Sequence, residues 1–151
     1  MATILIVDDE PDIQALLFET LARDGHTLQI AADGEEALTK AQNCSFDLAL
    51  VDLWLPRLHG IESLHRLRHL APDMPVIVMT CRPERKTSVL ALRLGASDYV
   101  PKPFDLKALR ATVARALTES DPSPEPDPQW AAEQLAGARA WLMEVEQTWL
   151  H

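Results

Sequence analysis

Three acidic side chains close two apolar runs. Ile4-Leu5-Ile6-Val7 leads into Asp8-Asp9, and Leu48-Ala49-Leu50-Val51 leads into Asp52. A short apolar run edged by carboxylates is the pattern of a buried parallel strand whose C-terminal end reaches a site. Gathered carboxylates repel one another and call for a cation, and a hard ion such as Mg2+ takes oxygen ligands of this kind. A further run, Val76-Ile77-Val78-Met79, ends in the hydroxyl of Thr80, and a shorter one at 98–100 leads to the amine of Lys102. Three acids, a hydroxyl and an ammonium at strand ends point to metal-assisted phosphoryl transfer. The positive groups offset charge on a phosphoryl group, and a carboxylate near them is a competent nucleophile.

Positioning these groups falls to alternating strands and helices. Strands are expected at 3–7, near 27–31, and at 47–51, 75–79 and 98–100. Helices are expected at 11–23, 34–42, 60–70, 83–94 and 105–118. Pro11 suits a first helical turn, Ile13, Leu16, Leu17 and Leu21 form one helical face, and Gly25 suits the stop. Asp33 and Asp105 are natural N-caps. Five β-α units predict a parallel sheet with helices on both faces, and such sheets bind ligands beyond the carboxyl ends of their strands.

Composition narrows the function classes. The 151 residues are 47% hydrophobic, enough for one domain plus an appendage. The longest apolar runs fall short of a membrane span, and the start at Met1 carries no basic region of a signal peptide. Cys44 and Cys81 do not form a disulfide framework, so reduced thiols and a cytoplasmic setting are expected. Residues 1–120 hold 13 basic and 17 acidic side chains, and 121–151 hold 1 and 6, for a net charge of -9 overall. Neither part has the basic footprint of a direct nucleic-acid contact.

Residues 121–128, Asp-Pro-Ser-Pro-Glu-Pro-Asp-Pro, predict a semi-rigid extended linker. Residues 129–151 return to a helical pattern, with Ala131, Leu135, Ala138, Leu142, Val145 and Trp149 spaced as a heptad seam. Trp130 and Trp141 lie beside that stripe. Such a helix pairs with itself, docks on the domain or a partner, or opens a larger effector region; its length favours none of the three.

Residues 1–120 resemble the receiver domain of bacterial two-component response regulators. The matching segments are LIVDDEPDI at 5–13, LALVDLWLPRLHGIE at 48–62, VIVMT at 76–80 and LGASDYVPKPFD at 94–105. The resemblance implies a doubly wound, five-stranded parallel sheet in the flavodoxin-like order 2-1-3-4-5. It implies a phosphorylation-controlled signalling switch, a phosphoacceptor assisting its own phosphorylation and autodephosphorylation rather than an enzyme. Asp52 resembles the phosphoacceptor, charged by a sensor histidine kinase or phosphotransfer protein. Asp8, Asp9, Asp52 and the backbone carbonyl of Trp54 resemble the Mg2+ ligands. Thr80 and Lys102 resemble the groups that meet the phosphoryl oxygens, Tyr99 resembles the aromatic that turns inward as Thr80 moves, and Lys102-Pro103 resembles a cis peptide. The output surface would be residues 83–118, with a homodimer through that face or the tail helix.

The chain departs from the family in places. Cys81 follows the hydroxyl residue where Ala or Gly is usual, and Leu55 precedes the loop proline where Met is frequent. Trp54 and Arg82 occupy positions that in the family tune dephosphorylation. Other readings stand beside the leading one. Asp8-Asp9 could serve only as helix caps, Tyr99 as ordinary core, and Cys81 as a redox sensor. His65 and His69, four apart, share a helix face and could take zinc, although no third ligand accompanies them. A phosphate-independent interaction module would usually lack one of the five site residues. An aspartyl phosphatase of the haloacid dehalogenase type needs a second acid where Trp54 stands.

Overall fold

The apolar runs become strands and the periodic stretches become helices. A computed structural model of the chain describes residues 2–53, 60–80, 94–102 and 104–118. In chain order these form β1 (Thr3–Val7), α1 (Pro11–Arg23), β2 (Thr27–Ala31), α2 (Gly34–Asn43), β3 (Leu48–Asp52), α3 (Gly60–Leu70), β4 (Val76–Thr80), β5 (Asp98–Pro101) and α4 (Leu106–Thr118). The helix expected at 83–94, the linker and the tail helix lie outside the described residues, as do Trp54, Cys81 and Pro103.

The five strands form one sheet in the order β2-β1-β3-β4-β5, and every pairing is parallel. The order reverses at β1, which pairs with β2 on one side and β3 on the other. The carboxyl ends of β1 and β3 therefore lie side by side at that switch point.

Successive side chains of a strand point to opposite faces, so each strand feeds two cores. Leu5, Val7, Ala49, Val51, Val76 and Val78 pack with Ala37 of α2 and Leu64 and Leu67 of α3. Ile4, Ile6, Leu48, Leu50, Ile77 and Met79 pack with Leu17 and Leu21 of α1 and Leu109 and Val113 of α4. Both faces are covered, which is why β1, β3 and β4 read as unbroken apolar runs rather than alternating ones.

Local chemistry sets the helix ends. Pro11 opens α1. At its close the Gly25 and His26 amides donate to the Ala22 and Leu21 carbonyls at 3.0 and 3.3 Å, and Gly25 has φ 90°, which makes a Schellman cap. Asp33 caps α2 by accepting from the Glu36 amide at 2.8 Å, and the Glu36 carboxylate accepts from the Ala32 amide at 3.0 Å. Asp105 caps α4 through the Lys107 and Ala108 amides at 3.0 and 3.3 Å. Arg68, buried near the end of α3, donates to the Pro72 and Met74 carbonyls at 2.5 and 3.1 Å and so holds the turn into β4. Among the described residues no helix is long and apolar enough to cross a membrane.

Candidate functional site

Asp8 sits just past the end of β1 and is fully buried. Four contacts hold it there. Its amide donates to the Ala31 carbonyl of β2 at 3.1 Å, and its carbonyl accepts from Gln14 Nε2 at 2.6 Å. Its Oδ1 accepts from the Glu10 amide at 2.9 Å, and its Oδ2 accepts from Lys102 Nζ at 2.6 Å. Asp9, its neighbour, is exposed. The adjacent pair thus splits into one acid anchored in the fold and one open to solvent.

Asp52 is the last residue of β3 and lies opposite Met79 of β4; it is 3% exposed. Its Oδ2 accepts from Lys102 Nζ at 3.1 Å. Thr80 ends β4, opposite Pro101, and is fully buried. The Lys102 amide donates to the Thr80 carbonyl at 2.7 Å, which ties the loop after β5 to the end of β4. Asp8, Asp52, Thr80 and Lys102, scattered over 95 positions of the chain, converge at one edge of the sheet. The carboxylate oxygens of Asp8, Asp9, Glu10 and Asp52 lie within 4.8 Å of one another.

Lys102 bridges the two buried acids. Burial by itself would favour the neutral amine, but the hydrogen bond to Asp8 and the charges of Asp52 and Asp8 outweigh it and raise the ammonium above the ordinary lysine range. Among the described residues, the site sets the Lys102 ammonium against four carboxylates. Hard oxygen donors in excess of their counter-charge fit a divalent ion such as Mg2+, so the residues present suit the metal that the resemblance implies.

Sequence reasoning missed Glu10. The signal was present, since Glu10 directly follows Asp8-Asp9, but a residue preceding Pro11 reads first as a helix cap. Tyr99 lies on β5 and is 39% exposed, so it is not ordinary core. Trp54 and Pro103 lie outside the described residues. His65 and His69 line an open groove between α2 and α3 with Leu38, Gln42, Arg66 and Leu70. Among the described residues, the acids at the strand ends form the one group of three or more metal-capable side chains.

Comparison with known proteins agrees with the geometry. The family model described as the response regulator receiver domain matches residues 4–114. The alkaline phosphatase synthesis transcriptional regulatory protein PhoP of Bacillus subtilis is 42% identical over 118 residues, 78% of this chain and 49% of that protein. The transcriptional regulatory protein CpxR of Escherichia coli is 41% identical over 120 residues, 80% of this chain and 51% of its own length. The chain thus spans about half the length of these curated relatives. Among solved structures, the chemotaxis protein CheY4 of Vibrio cholerae superposes with a TM-score of 0.73 at 31% identity, covering 77% of this chain and 98% of that one. The response regulator TrrA of Thermotoga maritima, in complex with Mg(2+)-BeF, superposes with a TM-score of 0.71 at 33% identity, covering 77% and 99%. With the fold, the convergent site and these matches in hand, the chain belongs to the response regulator receiver domain family.

Proposed function

We propose that this chain is a phosphorylation-controlled signalling switch in which Asp52 accepts a phosphoryl group from a sensor histidine kinase or phosphotransfer protein. The observation that carries the reading is the Lys102 ammonium, 2.6 Å from Asp8 and 3.1 Å from Asp52 at the edge of the sheet. One Asp52 carboxylate oxygen attacks the phosphorus of a phosphohistidine. The phosphorus–nitrogen bond breaks, the imidazole leaves with a proton, and an acyl phosphate remains on Asp52. Charge spreads over the equatorial oxygens in transit, so placement and positive charge matter more than covalent help.

The carboxylates of Asp8, Asp9 and Asp52 and the carbonyl of Trp54 would hold Mg2+, which offsets phosphoryl charge when bound. The Lys102 ammonium meets one phosphoryl oxygen, and the Thr80 hydroxyl donates to another. Asp8, locked by its four contacts, holds Lys102 in place. The new charge at Asp52 draws Thr80 and biases the surface of residues 83–118, Tyr99 included, between two arrangements. Water attack on the same acyl phosphate resets the switch, so autodephosphorylation belongs to the same site. Residues 1–120 form the receiver, 121–128 the linker and 129–151 a helix that joins the output. PhoP and CpxR are named transcriptional regulatory proteins, and the shared half supports a control role for this chain, exerted through protein contacts.

The test is labelling by acetyl phosphate. The 151-residue chain with Mg2+ should gain one phosphoryl group, seen as a mobility shift on a phosphate-affinity gel, and Asp52→Ala should gain none. Absence of labelling at saturating donor and Mg2+, or equal labelling of Asp52→Ala, rejects the proposal.

A further inference from the structure

Glu10 stands at the N-cap of α1 with extended backbone (φ -89°, ψ 117°), yet its side chain makes no capping hydrogen bond. Its amide is already committed to Asp8 Oδ1 at 2.9 Å. Its carboxylate turns to the other acids, with an oxygen within 4.8 Å of those of Asp8, Asp9 and Asp52. This placement runs against simple electrostatics, since an exposed carboxylate is free to avoid three like charges. Lys102 compensates Asp8 and Asp52. Among the described residues, neither Asp9 nor Glu10 has a cationic partner. The excess negative charge is therefore concentrated on these two solvent-facing acids.

Resting on the reading of the site as a Mg2+ pocket, we infer that Glu10 is a further residue of the cation site, one that sets its affinity and its selectivity among hard divalent ions. The number of gathered oxygens bears on the choice of ion. Four gathered carboxylates offer more protein oxygens than Mg2+ ordinarily takes, whereas Ca2+ accepts about six to eight oxygen ligands in flexible geometry and can use them directly. Around Mg2+, which keeps several waters and prefers few protein ligands, Glu10 acts through a bound water. Glu10 thus strengthens Ca2+ binding more than Mg2+ binding, and its charge raises affinity for both.

The test uses the 151-residue chain and isothermal calorimetry with Mg2+ and with Ca2+ on wild type, Glu10→Gln and Asp9→Asn. Glu10→Gln keeps the size of the side chain and removes the charge. It should weaken Mg2+ about 3- to 10-fold, the effect of one solvated charge near a divalent ion, and weaken Ca2+ by a larger factor. In metal-free buffer its melting temperature should equal or exceed wild type, because a repulsion is relieved; a lower value would return Glu10 to a structural helix-start role and overturn the inference. Equal Kd values for wild type and Glu10→Gln with both ions overturn it as well, as does an equal loss for both ions where selectivity is concerned. Failure of wild type to bind Mg2+, or full retention of binding in Asp9→Asn, instead sinks the pocket itself, so the two readings fail separately.

Discussion

The Lys102 ammonium holds together two buried acids that would otherwise repel, and its removal therefore reaches beyond chemistry. Replacement by Met removes the ammonium that lies between Asp8 and Asp52. Breaking a buried charge contact in this way costs about 3 kcal/mol. Lys102→Met should unfold at lower urea in metal-free buffer, and added Mg2+ should recover part of the loss by ligand linkage. Its labelling by acetyl phosphate should fall about 100-fold, the scale for losing one positioned charge at a reacting centre. Urea melts with and without Mg2+, together with labelling rates, check both arms. At this scale the sequence was informative: Asp8, Asp9, Asp52, Thr80 and Lys102 were all legible as strand-end groups. The difference in rank between Asp8 and Asp9 was not, because it arises from contacts with Ala31, Gln14 and Lys102 that no local pattern encodes.

Among the elements, α3 and its exit carry two constraints. Gly95 has φ +112°, and a Cβ there would lie 2.7 Å from Arg68 Nε. Arg68 cannot yield easily, since it is buried and committed to the Pro72 and Met74 carbonyls. Gly95→Ala should cost about 3 kcal/mol from backbone strain and overpacking together, measurable as a lower denaturation midpoint. His65 on the same helix is held below the ordinary histidine value of 6.5 by burial first, then by the charges of His69 and Arg66, with Glu62 opposing. The folded protein therefore binds this proton less readily than the unfolded chain. The stability it contributes is present above pH 6.5 and is lost as pH falls through the lower native value. Melting temperatures between pH 7.5 and 5 should drop more in wild type than in His65→Gln. Among the described residues, the elements were legible to within a residue. Both β3 and β4 end one residue later than hydrophobicity predicts, because Asp52 and Thr80 still pair across the ladder with Met79 and Pro101. A polar residue at a strand end reads as loop until its partner is known.

At the level of the whole molecule, the layer formed by α1 and α4 is held by charge as well as packing. Arg110 of α4 donates to both carboxylate oxygens of Asp24, at the end of α1, at 2.9 and 2.6 Å, and Arg115 pairs with Asp98 of β5. The parallel sheet and its two covered faces followed from five apolar runs alternating with amphipathic stretches. The strand order itself came with the family resemblance, since crossover rules allow more than one arrangement. The proposed output through residues 83–118 or the tail helix predicts an association state that responds to phosphorylation. The 151-residue chain with beryllofluoride and Mg2+ should show a larger mass by light scattering than without it, and a 1–120 fragment should separate the two surfaces. Identical monomeric masses in all four samples would reject dimerisation. The alternation of strand side chains has a last consequence. Asp8, Asp52 and Lys102 continue the rows formed by Ile6, Leu50 and Val100, which belong to the α1 and α4 side, whereas Thr80 continues the row of Val78, on the α2 and α3 side. A phosphoryl group held between Lys102 and Thr80 would act as a rivet through a partition, so that neither half of the protein could register the signal alone.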